Sequence, residues 1–134
     1  MRLIDTQQLN NLYKEAQQSE RLRSHLLLHD SHQDKVQRLL IAMKKGSYVD
    51  PHFHVLKHQW EMFTILQGQL QVCLFDDEGQ VIKRFTAGQD TGITVVEFAP
   101  GDIHSVECLT EQALLLEVKE GPFDPAYAKS SPKW

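Results

Sequence analysis

The sequence predicts an all-β fold: an antiparallel β-barrel of the jelly-roll kind with a short N-terminal α-helix. Three observations lead there. Apolar residues at helical spacing occur only near the start of the chain. Beyond it, short apolar runs alternate with turns rich in Gly, Pro, Asn and Asp, the pattern of strands joined tightly. The 134 residues hold about eight such runs, with no internal repeat and no second-domain boundary.

Taken in order, Asp5 or Thr6 can cap a helix through Gln18, with Leu9, Leu12, Tyr13 and Ala16 on one face and Gln, Asn and Lys on the other. Arg21-Leu22-Arg23 leads into a strand from Ser24 to His29, and the polar stretch Asp30 to Asp34 turns the chain. Val36 to Met43 is apolar almost throughout and reads as a strand buried on both faces. Lys44-Lys45-Gly46 turns into a strand bearing His52 and His54, and Glu61-Phe63-Ile65 opens the next alternation, closed by Gly68. Gln69 to Phe75 and Val81 to Phe85 form a hairpin around Asp76-Asp77-Glu78-Gly79. Ile93 to Phe98, a strand opening at His104, and Leu114 to Lys119 complete the set. The expected organisation is a helical segment over residues 1–20 packed on a single barrel over 21–125, with a surface tail over 126–134.

Composition narrows the function classes. A formal net charge of −4 and the lack of a basic block argue against a nucleic-acid partner. No apolar run spans a bilayer, and the first residues lack the apolar centre of a signal peptide. Cys73 and Cys108, the two cysteines, fall inside apolar strand patterns and read as buried thiols, so a cytoplasmic location is expected.

The chemistry concentrates between Gly46 and Gly68. His52 and His54 are two apart in a segment of strand character, so their imidazoles share a face. Glu61 adds a carboxylate from the hairpin partner, and His104 follows the turn Pro100-Gly101-Asp102. Three imidazoles and one carboxylate make a ligand set for a divalent transition metal, with one or two positions open if the ion is octahedral. Iron, manganese, nickel and zinc all fit. His58 is an alternative to Glu61, but strand parity sets it on the opposite face from Phe63 and Ile65.

These residues resemble the cupin family. Five residues separate Gly46 from His52 and six separate Glu61 from Gly68, as in its first motif; Gly101-Asp102-Ile103-His104 resembles its second. The six residues between His54 and Glu61 exceed the motif's usual gap and read as a loop insertion, and Cys108 stands where the second motif carries Asn. Asp34 to Arg38, Ser47-Tyr48-Val49, Phe75-Asp76 and Glu117 to Phe123 resemble, more narrowly, the WbuC-type cupin metalloproteins of bacterial O-antigen and surface-polysaccharide gene clusters. That resemblance implies the barrel, the metal and a link to sugars.

For the pocket beyond the metal, Arg38 stands out as a guanidinium inside VQRLLIAM, expected to face the lumen and meet an anion; Gln37 is the alternative. His29, Tyr48 and Lys119 are further substrate-binding candidates, with Glu117 beside them, whereas His25 and His32 read as ordinary strand and turn residues. The expected function is a small metalloenzyme (isomerase, epimerase, lyase or oxygenase) acting on a sugar or another small polar or anionic metabolite. Alternatives are a non-catalytic, metal-dependent binding module and a metal-free sugar-nucleotide isomerase using paired histidines as acid and base. A small-molecule ligand, no membrane partner and a homodimer through barrel edges complete the expectations.

Overall fold

A computed structural model describes residues 1–134. One helix, α1 (Thr6–Gln18), precedes nine strands: β1 (Arg23–Leu27), β2 (Val36–Lys44), β3 (Tyr48–His52), β4 (Glu61–Gln67), β5 (Gln69–Phe75), β6 (Val81–Gly88), β7 (Val95–Phe98), β8 (Ile103–Cys108) and β9 (Gln112–Glu120). They form two antiparallel sheets, ordered β1-β2-β9-β4-β7 and β3-β8-β5-β6. The all-β jelly roll with one short helix is what the sequence predicts. The two sheets face one another without joining into one hydrogen-bonded ring, leaving β1 and β3 as edges at one side.

The core between the sheets is built from inward positions of both: Met43, Phe63, Ile65 and Leu115 from one, Leu70, Val72, Val106 and Cys108 from the other. A second apolar layer explains why β2 lacks alternation. Leu40 and Ala42 point outward, where Leu12, Tyr13 and Ala16 of α1 cover them together with Leu114. The helix starts where Asp5 accepts the N–H of Gln8 at 2.9 Å. Both thiols are free and buried, and no helix is long and apolar enough to cross a membrane.

The outward parity of Leu40 and Ala42 also corrects the reading of Arg38. Two residues upstream on the same face, Arg38 is exposed, and its Nη2 donates to the Leu28 carbonyl at 3.3 Å outside the sandwich. A run apolar on both faces hides its parity, so the lumen assignment fails. Gln37 does point inward and is buried, but its amide donates to the carbonyls of Asp34 (2.8 Å) and Ser31 (3.2 Å), holding the turn before β2. His29 is likewise structural. β1 ends at Leu27, and the His29 Nδ1 accepts the Arg38 N–H at 3.0 Å, taking over as partner to β2.

Gly68, between β4 and β5, has φ +75, and a Cβ there would sit 2.2 Å from the Gln112 carbonyl oxygen. Gly46 has φ +87 with open space around it. Gly46→Ala should therefore cost about 1 kcal/mol of backbone strain, and Gly68→Ala more than twice as much, because backbone must also move. Urea unfolding of the two variants checks the ranking; equal midpoints would contradict it.

Candidate metal centre

β3 and β8 pair with Val49 opposite Val106 and His52 opposite His104, so three residues of β3 span what two span on β8. The extra residue is a β-bulge, and Pro51, which has no N–H to leave unpaired, sits inside it. The bulge lets Val49 and His52 face the same interior although they are an odd number apart. His54 lies just past the strand end, on a backbone held by the Gly101 N–H donating to its carbonyl at 2.8 Å. Glu61 opens β4 opposite Lys119 of β9. The ligand-type atoms of His52, His54, Glu61 and His104 all come within 4.8 Å of one another. His58 stays outside this cluster.

The rings are pre-set. Nδ1–H of His52 donates to the Asp50 carbonyl and Nδ1–H of His104 to the Asp102 carbonyl, both at 2.9 Å. Each bond runs to the carbonyl two residues back and leaves the Nε2 lone pair facing inward. His104 is stacked on Phe98 with ring centroids 3.6 Å apart and planes 10° apart. Its Nε2 is buried with no partner at hydrogen-bond distance and with Glu61 Oε2 3.6 Å away, a costly arrangement for a polar atom unless a ligand meets it. Nε2–H of His54 donates to Glu61 Oε2 at 2.8 Å. Ligand atoms about 2.1 Å from a common ion lie at most roughly 4.2 Å apart, so small side-chain adjustments suffice for these donors to hold one ion.

Electrostatics favour such an occupant. Burial alone would raise the Glu61 carboxyl, but His104, His54 and Glu117 around it hold it well below the usual carboxylate range. Its neighbour Glu117 is pushed well above that range, first by burial and then by the charge of Glu61, against the opposing pull of Lys119. Within this carboxyl pair Glu61 is thus favoured as the anion and Glu117 as the acid form. Burial, then His104, lower His52 to about 4, so its imidazole is neutral and ready to ligate across the neutral range.

The cluster forms the floor of a cavity of about 240 Å³. Ile41, Met43, Val49, Phe63 and Val106 supply apolar wall; Arg21, Arg23, His25 and Lys119 are polar lining. Phe123, Ala128 and Lys129 close one side from the C-terminal segment. That segment is pinned by Ser130 pairing with Phe53 and by the Gln59 amide donating to the Tyr127 carbonyl. Of the substrate-binding candidates Lys119 reaches this cavity, as does Glu117 beside it. Tyr48 is exposed on the outer face of the four-stranded sheet, opposite Glu107, because it precedes inward Val49 by one residue. Arg23 and His25 were legible in principle: they alternate on β1 opposite Met43 and Ile41, which face inward.

A family model described as "Domain of unknown function (DUF6016)" matches residues 4–87. No curated protein matches the chain in sequence. Among solved structures, a variant of Bacillus subtilis oxalate decarboxylase is similar at a TM-score of 0.58 and 21% identity, over 72% of this chain and 24% of that one. Another structure of that enzyme, described for its Mn(II) centres, gives 0.61 and 17%, over 81% and 27%. A cupin superfamily protein from Desulfitobacterium hafniense gives 0.57 and 17%, over 73% of this chain and 76% of that one. This chain thus spans about a quarter of the oxalate decarboxylase chains. At these identities the likeness is one of fold, and the fold is that of the cupins.

The low value for His52 has a stability consequence. In the unfolded chain this imidazole protonates near 6.5, whereas the folded form resists until about 4. The unfolded state binds more protons between these values, so this group's contribution to stability falls by about 3 kcal/mol as pH drops through that window. Glu117, shifted upward, contributes with the opposite sign, so the effect is read as a difference. Urea unfolding of chelated protein at pH 7 and pH 4.5 should show His52→Gln losing less stability than wild type on acidification. Equal losses would contradict the assignment.

Proposed function

The chain belongs to the family described as "Domain of unknown function (DUF6016)", and from that premise, with its cupin fold, we propose that it is a divalent-metal-binding cupin, a small metalloenzyme acting on a small polar or anionic metabolite. The observation that carries this reading is the convergence of three imidazoles and one carboxylate on the floor of a cavity, with the buried His104 Nε2 lacking any other partner. His52, His54, Glu61 and His104 are the ligands in this reading. A bound divalent ion would supply Lewis-acid polarisation of a substrate oxygen or, as iron or manganese, redox chemistry.

The remaining work falls to the chain itself. The carbonyls of Asp50 and Asp102 fix the tautomer and direction of two imidazoles. Glu61 contributes the negative charge, and Glu117 keeps the adjacent proton so that a second carboxylate does not compete for it. Apolar walls exclude water around the reacting group. The metal-free isomerase reading fits less well, since Glu61 joins the three imidazoles as a fourth ligand-type group. The WbuC-type resemblance directs the substrate search to sugars of surface polysaccharides. The same reading keeps the protein in a reducing, cytoplasmic setting, where Cys73 and Cys108 stay as free thiols.

Elemental analysis followed by chelation and titration with manganese, iron, nickel and zinc tests the proposal. One ion per chain is expected. Glu61→Gln should weaken affinity by at least about tenfold, whereas His58→Ala, outside the cluster, should change it little. Stoichiometric binding surviving in a His52→Ala/His104→Ala double variant would overturn the site. A screen for turnover against a panel of sugars and small acids then separates an enzyme from a binding module.

A further inference from the structure

The cavity has two chemically unlike ends. The donor cluster forms its floor, whereas its mouth gathers Arg21, Arg23 and Lys119 around His25, with Lys129 also in the lining. Apart from Lys119, these cations have no ion-pair partner. Arg21 and Arg23 come within ion-pair distance of no carboxylate, and Lys119 meets only Glu117, at 3.6 Å. Asp50 acts on Arg23 by charge but forms no ion pair with it. His25 shows part of its ring to solvent, yet it is held below its usual value by packing on its inner side and then by Arg21, Arg23 and Lys119. Like charges gathered this way are mutually unfavourable until an anion joins them.

The arginines stand on a fixed backbone. Leu22 between them has φ +55, the left-handed region that residues with a Cβ seldom adopt. The turn is held there by the Leu22 N–H donating to Ser19 at 3.0 Å, Ser47 Oγ donating to the Arg21 carbonyl at 2.8 Å and the Lys44 N–H donating to the Leu22 carbonyl at 2.9 Å. The Arg23 guanidinium makes only long contacts, 3.4 Å each, to the carbonyls of Arg21 and Tyr48. Its planar fork is therefore largely uncommitted, and such a fork takes two oxygens of a carboxylate or phosphate at once.

We infer that Arg21, Arg23 and Lys119 form an oxyanion-recognition subsite. The ligand is a small organic acid or phosphate ester whose charged group is held at the mouth while its other end reaches the donor cluster. The cavity volume, about 240 Å³, lies below the roughly 300–1,000 Å³ of sites for drug-sized molecules, which limits the ligand to a small metabolite. This inference rests on the metal reading only for the ligand's inner end; the subsite itself needs only the cations.

The test is calorimetric titration of purified protein, with and without prior chelation, using inorganic phosphate, pyruvate and neutral glucose as probes, with metal content measured in parallel. The anions should bind and glucose should not. Arg21→Gln/Arg23→Gln should weaken anion binding about tenfold or more with metal content unchanged. Arg38→Gln, an exposed arginine outside the cavity, should leave binding as it is. Lys119→Gln probes the subsite from β9 should the double variant fail to fold. Binding of phosphate alone assigns a phosphate ester, and of pyruvate alone a carboxylate; either supports the subsite. Absence of anion binding in the wild type, glucose binding as tightly as the anions, or equal affinities in the double variant and Arg38→Gln would overturn it. Arginine-dependent anion binding in a protein that takes up no metal would preserve the subsite and remove the metal reading instead.

Discussion

The site depends on the pairing of His52 with His104 across β3 and β8. Register in a sheet is all-or-none for direction: a slip of one residue sends a side chain to the opposite face. The bulge at Pro51 makes that correction once, turning His52 inward without disturbing Val49. Each ring then meets the carbonyl two residues before it, which leaves one nitrogen of each for the interior. Glu61 and His54 complete the cluster around this pair. Glu61 could not do so without the facing sheet, since it is carried by β4 of the other layer.

Much of this was legible in the sequence, and the reasons are specific. Glu61 could be chosen over His58 because it shares parity with Phe63 and Ile65, and parity persists along a regular strand. His104 could be paired with a distant segment because the turn at Gly101 fixes where its strand begins. The two-residue spacing of His52 and His54 likewise held, since both reach the cluster although His54 lies beyond the end of β3. Arg38, by contrast, was misread. β2 is covered on one face by α1 and on the other by the core, so its apolar run carries no alternation to say which way a guanidinium points. Arg21 and Arg23 looked like a polar approach to a strand, because their place at a cavity mouth depends on which sheet edge remains open.

Charge is distributed with equal economy. The cavity floor carries the Glu61 carboxylate among three imidazoles, with the Glu117 carboxyl pushed toward its acid form beside it. The mouth carries cations, and between them lie aliphatic and aromatic walls of low polarity that screen neither end. A chain with a formal net charge of −4 therefore presents a locally basic entrance, a property that its overall composition conceals.

The C-terminal segment adds a connection between distant parts of the chain. Ser130 exchanges two backbone hydrogen bonds with Phe53, the residue flanked by His52 and His54. Further on, Trp134 packs against Phe75 of β5 in the same four-stranded sheet as β3, at 5.4 Å between rings. The backbone between two of the four donors is thus tied directly to the C-terminal segment, so residues more than seventy positions apart in sequence share one anchoring point beside the cavity floor.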